Sequence, residues 1–176
     1  NSVRKYSVLV VDDQANWREL LVDLLDNEFE VKSATDYDEA LEIIQSRRLP
    51  FHVVVTDMRL KDDEFGNEDG LKLLEELNKR SDETKTIVIT GYATLNTARR
   101  ALSTLDAYDY IEKLPASSRF NIQEFQQVVY RAAQDAEKEH PNGFSDISFD
   151  ILVLEPDSNQ RSELANNLRR EGYHVI

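Results

Sequence analysis

Five short apolar runs alternate along this chain with five stretches whose apolar residues recur at helical spacing, and few folds accommodate that alternation. The runs are Tyr6–Val11, Phe29–Val31, His52–Thr56, Thr86–Ile89 and Ala107–Ile111. Trp17, Leu20, Leu21, Leu24 and Leu25 mark a first helix, Ala40, Leu41, Ile43 and Ile44 a second, and Leu71, Leu73, Leu74 and Leu77 a third. Ala98, Ala101, Leu102 and Leu105 mark a fourth, and Ile122, Phe125, Val128, Val129 and Ala132 a fifth that can run to Glu139. Runs one, three and four are continuously apolar, as strands covered on both faces must be.

Right-handed crossovers leave few ways to order five such strands. The expected class is α/β: a flavodoxin-like (βα)5 three-layer sandwich with a parallel five-stranded sheet of order 2-1-3-4-5. The 176 residues suffice for one such domain with some left over. A domain near 150 residues buries roughly 68–70% of its unfolded surface, enough for a core.

Composition narrows the function. There are no cysteines, which excludes disulfides, zinc–cysteine sites and thiol catalysis, and fits a reducing cytoplasm. The formal net charge of −13 opposes binding to phosphate backbones, so no direct nucleic-acid contact is expected of this segment. Apolar runs such as Val8–Val11 and Val53–Val55 are too short to span a membrane. The N-terminus, which starts at Asn1, lacks the apolar stretch of a signal peptide.

Pro141–Ser145 is turn-forming and reads as a boundary. Beyond it the chain echoes its own beginning. Ile151–Leu154 resembles Val8–Val11, and Glu155, Asn159 and Arg161 stand at a constant offset from Asp12, Asn16 and Arg18. Leu164 and Leu168 continue a helix, which Gly172 ends before Tyr173–Ile176. The expected organisation is a domain over 1–140, a linker over 141–148, and a partial second β-α-β copy over 149–176. A piece that short cannot close its own core. It must dock on the first domain, exchange with another molecule or lie loosely ordered. Glu155 and Pro156 replace Asp12 and Asp13, Asp157 follows, and no equivalent of Asp57 is reached.

The residues that carry chemistry follow the strands. Asp12 and Asp13 follow the first, Asp57 the third, Thr90 the fourth and Lys113 the fifth. In an open α/β sheet ligands sit beyond the carboxyl ends of the strands, at the switch in strand order. For order 2-1-3-4-5 the switch lies between strands one and three, the two that supply the carboxylates. Two unit charges ~4 Å apart interact by about 4 kcal/mol at an effective dielectric near 20. Lys113 offsets one of three negative charges, and the remainder requires a divalent cation. All-oxygen ligands suit Mg²⁺, with Mn²⁺ a possible substitute. Asp57, a single Asp after a buried strand, is the candidate nucleophile for a phosphoryl group. Lys113 would hold one phosphoryl oxygen and the Thr90 hydroxyl another, with Gly91 leaving room for approach. Taken singly, each residue has a plainer role: an Asp at a strand end caps the next helix, and a lone Lys is a surface charge.

The segments Val8–Asp13 (VLVVDD), Val53–Leu60 (VVVTDMRL), Ile87–Ala93 (IVITGYA) and Ala107–Pro115 (AYDYIEKLP) resemble the response-regulator receiver family of two-component signalling. The resemblance covers about residues 5–138. It implies that Asp57 accepts phosphate from a histidine kinase or histidine phosphotransfer protein. It implies Mg²⁺ held by Asp12, Asp13, Asp57 and the main-chain carbonyl of Arg59. It also implies a switch in which Thr90 turns toward the phosphoryl group and Tyr110 rotates inward. Such a domain is a phosphorylation-controlled switch rather than a turnover enzyme. Its output face would be helix four, strand five and helix five, through which a homodimer can form; tail exchange is a second route.

The sequence departs from the family pattern in several places. Lys61 stands where the family usually has Pro, and the acidic stretch up to Asp69–Gly70 is longer than usual. Leu114 separates Lys113 from Pro115, so the family's cis peptide after the lysine is not implied. Arg59 and Tyr92 occupy positions that flank the route of the hydrolytic water, and their bulk implies slow self-dephosphorylation. Two other readings compete. A pseudo-receiver would be a protein-interaction module that needs no phosphate. A phosphohydrolase with a nucleophilic Asp needs an Asp-x-Asp pair, whereas Asp12 and Asp13 are adjacent.

Overall fold

The computed structural model describes residues 5–61, 66–80, 83–113, 120–141 and 143–144, and the backbone of 150–151, 162, 166–167 and 174–175. In the first part the elements are β1 (Tyr6–Val11), α1 (Ala15–Leu25), β2 (Phe29–Ala34), α2 (Tyr37–Ser46), β3 (Val53–Asp57), α3 (Asp69–Arg80), β4 (Lys85–Thr90), α4 (Leu95–Arg99), β5 (Asp109–Glu112) and α5 (Ile122–Glu139). The sheet is parallel throughout and ordered β2-β1-β3-β4-β5, as the alternation of runs and helices requires.

Period-two alternation sorts the strand residues between the faces. Val8, Val10, Val53, Val55, Ile87 and Ile89 meet Leu21, Leu25, Phe125, Val128 and Val129 of α1 and α5. Leu9, Val11 and Val54 meet Ala40, Leu73 and Leu77 of α2 and α3. On that same side Val88 joins Leu71, Leu74 and Ala101 near α4. Each fully buried Val or Leu stabilises by about 1.5–3 kcal/mol relative to exposure, and the central strands are buried along nearly their whole length.

Local chemistry sets the helix starts. Asp36 caps α2 by accepting the Glu39 N–H at 2.9 Å. Asn121 caps α5 by accepting the Glu124 N–H at 3.1 Å. Thr94 and Thr97 form a reciprocal capping box on α4.

Three elements differ from expectation. The second strand extends through Lys32, Ser33 and Ala34 as an edge strand whose polar residues carry no apolar signal. The fourth helix starts earlier, at Leu95, and changes pitch: Arg100–Thr104 is a π turn, closed by the Leu105 N–H on the Arg100 carbonyl at 3.0 Å. The fifth strand starts at Asp109 because Asp106 turns the chain with φ of 52°.

The chain divides into two compact units, Asn1–Phe144 and Ser145–Ile176. Phe144 belongs to the first. It is buried and stacks on His52 with ring centroids 4.0 Å apart. In the second unit β6 (Asp150–Ile151) pairs in parallel with β7 (His174–Val175). Glu155, Pro156 and Asp157 lie outside the described residues, as do Leu114 and Pro115. Among the described residues, no helix is long and apolar enough to cross a membrane.

Candidate functional site

The carboxyl ends of β1, β3, β4 and β5 bring Asp12, Asp57, Thr90 and Lys113 together. All four are buried, with exposures of 0%, 1%, 0% and 2%. The Lys113 ammonium lies 2.7 Å from Asp12 Oδ2 and also pairs with Asp57 Oδ2. Carboxylate oxygens of Asp12, Asp13 and Asp57 lie within 4.8 Å of one another.

Backbone donors fix the two buried acids. Asp57 Oδ1 accepts the Arg59 N–H at 3.2 Å, and Asp12 Oδ1 accepts the Gln14 N–H at 3.0 Å. The second contact is the helix-cap role expected of a lone Asp at a strand end, so Asp12 serves the start of α1 and the cluster together. Arg18 Nη1 donates to the Asp12 carbonyl at 2.8 Å.

Thr90 is wired to its neighbours through both its carbonyl and its hydroxyl. Its carbonyl accepts the Lys113 N–H at 2.9 Å, and its hydroxyl oxygen accepts the Tyr92 N–H at 3.1 Å. A Cβ on Gly91 would meet nothing within 4 Å, so the space beyond Thr90 is open. Tyr110 is half-buried, and its hydroxyl lies 2.9 Å from Thr97 Oγ1 in the α4 capping box.

The electrostatics follow from burial. Desolvation pushes Asp12 up to about 6, against the pull of the Lys113 ammonium. Desolvation also raises Asp57, opposed by Lys113, the Arg59 N–H and the Thr90 hydroxyl. Burial alone would pull Lys113 down, but Asp57 and Asp12 together carry it above the usual lysine range. Lys113 is therefore a fixed positive charge, and the three acids retain an excess of negative charge.

That excess fits a divalent cation. Oxygens around one Mg²⁺ at ~2.0–2.1 Å lie within ~4.2 Å of each other, so the observed spacing needs only a small contraction. The donor set is all oxygen, which suits Mg²⁺ and Mn²⁺ over softer metals.

Several supporting residues carried no sequence signal. Asn67 Oδ1 accepts N–H groups from Leu60 and Asp69, both at 3.1 Å, and its amide donates to Asp69 Oδ2 at 2.9 Å. This knot returns the chain from β3 to α3. Trp17 places its ring 5.4 Å from the Lys113 ammonium, and Phe120 packs edge-on against that ring. The Arg59 guanidinium lies 4.0 Å over the Tyr92 ring, joining the two bulky positions read from sequence.

Comparison with known proteins agrees with this geometry. The family model "Response regulator receiver domain" matches residues 8–125. The chain is 39% identical over 107 residues to a "Putative response regulator NtrX-like" of Rickettsia conorii, covering 60% of this chain and 21% of that protein. It spans about a fifth of the length of the curated relatives it matches. Among solved structures, NtrX from Brucella abortus in complex with ATP is 29% identical, with a TM-score of 0.65 over 94% of this chain and 35% of that one. A CheY-like receiver domain protein from Methanospirillum hungatei JF-1 is 27% identical, with a TM-score of 0.65 over 77% of this chain and 99% of that one.

Proposed function

This chain belongs to the response regulator receiver domain family of two-component signalling, and on that premise we propose that it takes a phosphoryl group on Asp57 and switches a protein-binding surface. The carrying observation is the buried ammonium of Lys113 shared between Asp12 and Asp57, at the switch point of the strand order.

The donor is a phosphohistidine on a histidine kinase or a histidine phosphotransfer protein. An Asp57 carboxylate oxygen forms the new bond to phosphorus as the donor's P–N bond breaks, and the imidazole nitrogen keeps the electron pair. Such a transfer depends on positioning and charge neutralisation rather than on covalent help from the protein. The Arg59 N–H and Lys113 hold the carboxylate in place before transfer. Afterwards Lys113 and the Thr90 hydroxyl remain to bind phosphoryl oxygens. Asp12, Asp13, Asp57 and the Arg59 carbonyl would hold Mg²⁺, which when bound neutralises charge between the acids and the incoming phosphoryl group.

The switch runs through Thr90 and Tyr110. Phosphorylation brings the charge on the group to about −1.5 to −2, which draws the Thr90 hydroxyl toward Asp57. Tyr110 then leaves Thr97, and the α4 capping box loses a neighbour. The affected surface is α4, β5 and α5. The domain acts as a switch and not as a turnover enzyme. Residues 149–176 read as the start of a second receiver-like copy, supported by the parallel pairing of Asp150–Ile151 with His174–Val175.

The test is a mass measurement after treatment with acetyl phosphate, with and without Mg²⁺, on wild type and Asp57→Asn. One phosphoryl group should appear on wild type in Mg²⁺ and on neither control. A wild type that stays unmodified and ignores beryllofluoride would instead identify a pseudo-receiver.

A further inference from the structure

Asn67 is buried just before α3, and its amide works on two segments of chain at once. Its Oδ1 accepts the N–H groups of Leu60 and Asp69, both at 3.1 Å, and its Nδ2 donates to Asp69 Oδ2 at 2.9 Å. These partners fix which way the amide faces. Two N–H donors require the oxygen on one side, and a carboxylate oxygen requires the nitrogen on the other. The bond from the Asp69 N–H is an ordinary Asx turn at a helix start. The bond from the Leu60 N–H reaches back seven residues and has a different consequence.

The peptide that joins Arg59 to Leu60 is planar and trans, so its N–H and C=O point in opposite directions. Holding the Leu60 N–H on Asn67 therefore directs the Arg59 carbonyl away from Asn67. Neighbouring groups are already engaged. The Arg59 N–H donates to Asp57 Oδ1 at 3.2 Å, the Thr56 hydroxyl to the Asp57 carbonyl at 2.9 Å, and the Gly70 N–H to the Met58 carbonyl at 3.1 Å. Among the described residues none donates to the Arg59 carbonyl. A carbonyl oxygen held in one direction, without a donor and two residues after Asp57, suits a hard cation.

We propose that Asn67 is a positioning residue for the divalent cation: by holding the Leu60 N–H it presets the Arg59 carbonyl as a ligand. This rests on the reading that Asp12, Asp13, Asp57 and that carbonyl hold Mg²⁺. A peptide plane free to rotate would have to be ordered at each binding event, and one already fixed would not. Asp69 acts one step further out. Its carboxylate takes the Asn67 Nδ2 and is itself paired with Lys72 at 2.6 Å.

The test is calorimetric titration of Mg²⁺ into the full chain, with urea unfolding measured in its absence. Asn67→Ala removes the acceptor of the Leu60 N–H. Mg²⁺ affinity should fall roughly 10- to 100-fold, the usual effect of removing a group that orients a metal ligand. Asp69→Ala leaves the acceptor but frees the amide to turn, and should weaken Mg²⁺ by a smaller factor; it carries the test if Asn67→Ala does not fold. The exchange Asn67→Asp/Asp69→Asn interchanges donor and acceptor within the side-chain pair, keeps an acceptor for both N–H groups and leaves the net charge at −13. It should return Mg²⁺ affinity close to that of wild type. Phe144→Ala loses the ring stacked on His52, at the opposite end of β3, and should leave Mg²⁺ affinity unchanged in spite of lower stability. The proposal is overturned if folded Asn67→Ala binds Mg²⁺ as wild type does, if the exchange recovers nothing, or if Phe144→Ala weakens Mg²⁺ equally. Mg²⁺ affinity that ignores Asp12→Asn and Asp57→Asn as well would overturn the underlying metal site together with the role of Asn67. Affinity that needs those acids and ignores Asn67 would overturn the role of Asn67 alone.

Discussion

A Cβ on Gly70 would lie 1.8 Å from the carbonyl oxygen of Asp57. The first turn of α3 therefore rests directly on the main chain of the proposed phosphoacceptor, and the Gly70 N–H donates to the Met58 carbonyl at 3.1 Å. Asp57 ends a fully buried strand and cannot yield. Gly70→Ala is expected to destabilise by about 2–3 kcal/mol, the upper part of the overpacking range. It should also slow phosphoryl uptake by displacing Asp57. Urea unfolding and the rate of acetyl phosphate labelling measure the two effects. Wild-type stability in the variant would mean that α3 shifts at no cost.

The acid cluster makes stability depend on pH. Burial raises Asp12 from 3.8 to about 6, and Asp57 moves in the same direction. Between those values the folded state holds a proton that the unfolded chain has released. The contribution is complete below pH 3.8 and is lost as pH rises through about 6. For Asp12 alone the loss is on the order of 3 kcal/mol. Without divalent cations, thermal unfolding should occur at lower temperature at pH 8 than at pH 5.5. Asp12→Asn should flatten that slope. Mg²⁺ at about a hundred times its dissociation constant should restore about 2.7 kcal/mol at pH 8. An unchanged slope in Asp12→Asn would remove this acid as its source.

Lys113 is the one described cation paired with both buried acids. Lys113→Met leaves them without that charge. Breaking a buried pair costs about 3–5 kcal/mol, and the low end applies because Asp12 can take up a proton. The loss should be larger at pH 8 than at pH 5.5, and Mg²⁺ should stabilise the variant more than wild type. Denaturant curves at the two pH values separate this from a simple packing defect, which would cost the same at both.

The Arg59–Tyr92 stack joins a residue two positions after Asp57 to one two positions after Thr90, and on the proposed function it would flank the approach of the hydrolytic water to Asp57. An exposed cation–π contact contributes about 0.5–1 kcal/mol, enough to keep the two side chains stacked most of the time. Arg59→Ala and Tyr92→Ala should each shorten the lifetime of the phosphorylated protein severalfold. Following the decay by mass checks this. A wild-type phosphoryl group lost within seconds in Mg²⁺ would remove the premise.

How far the sequence spoke depended on whether a residue's role lay in its own side chain or in a distant neighbour. Asp12, Asp57, Thr90 and Lys113 were legible because each stands at or just past the end of one of the strand-forming runs, and strand order alone brings such positions together. Gly70 carried no comparable signal, since its role is the absence of a side chain against a carbonyl thirteen positions earlier in the chain. Thr97 could not be paired with Tyr110 from spacing, because the π turn at Arg100–Thr104 breaks the helical period across the segment that joins them. Lys32 and Ser33 lie on an edge strand, where polar residues are tolerated and apolar alternation fades. Asn67 read as one more polar loop residue, yet it is 8% exposed and is hydrogen-bonded to Leu60 and Asp69.

Phe144 offers the last test, at the edge of the first unit. Its ring stacks on His52, whose Nδ1 accepts the Ser7 N–H at 3.0 Å and whose own N–H and carbonyl bridge Ser7 and Lys85. Tyr6 meets the same imidazole edge-on at 5.1 Å. Phe144 thus covers the amino ends of β1, β3 and β4, although the turn-forming sequence around it reads as linker. Phe144→Ala should cost about 3 kcal/mol, the low end for a buried aromatic because the site is peripheral. A chain ending at His140 should lose a similar amount, while one ending at Ser145 should keep wild-type stability in its first unit. Phosphoryl uptake at Asp57 should survive in all three, since the two ends of β3 are separated by the whole strand. Equal unfolding midpoints for chains ending at His140 and Ser145 would show that the stack contributes nothing and that the domain closes at α5.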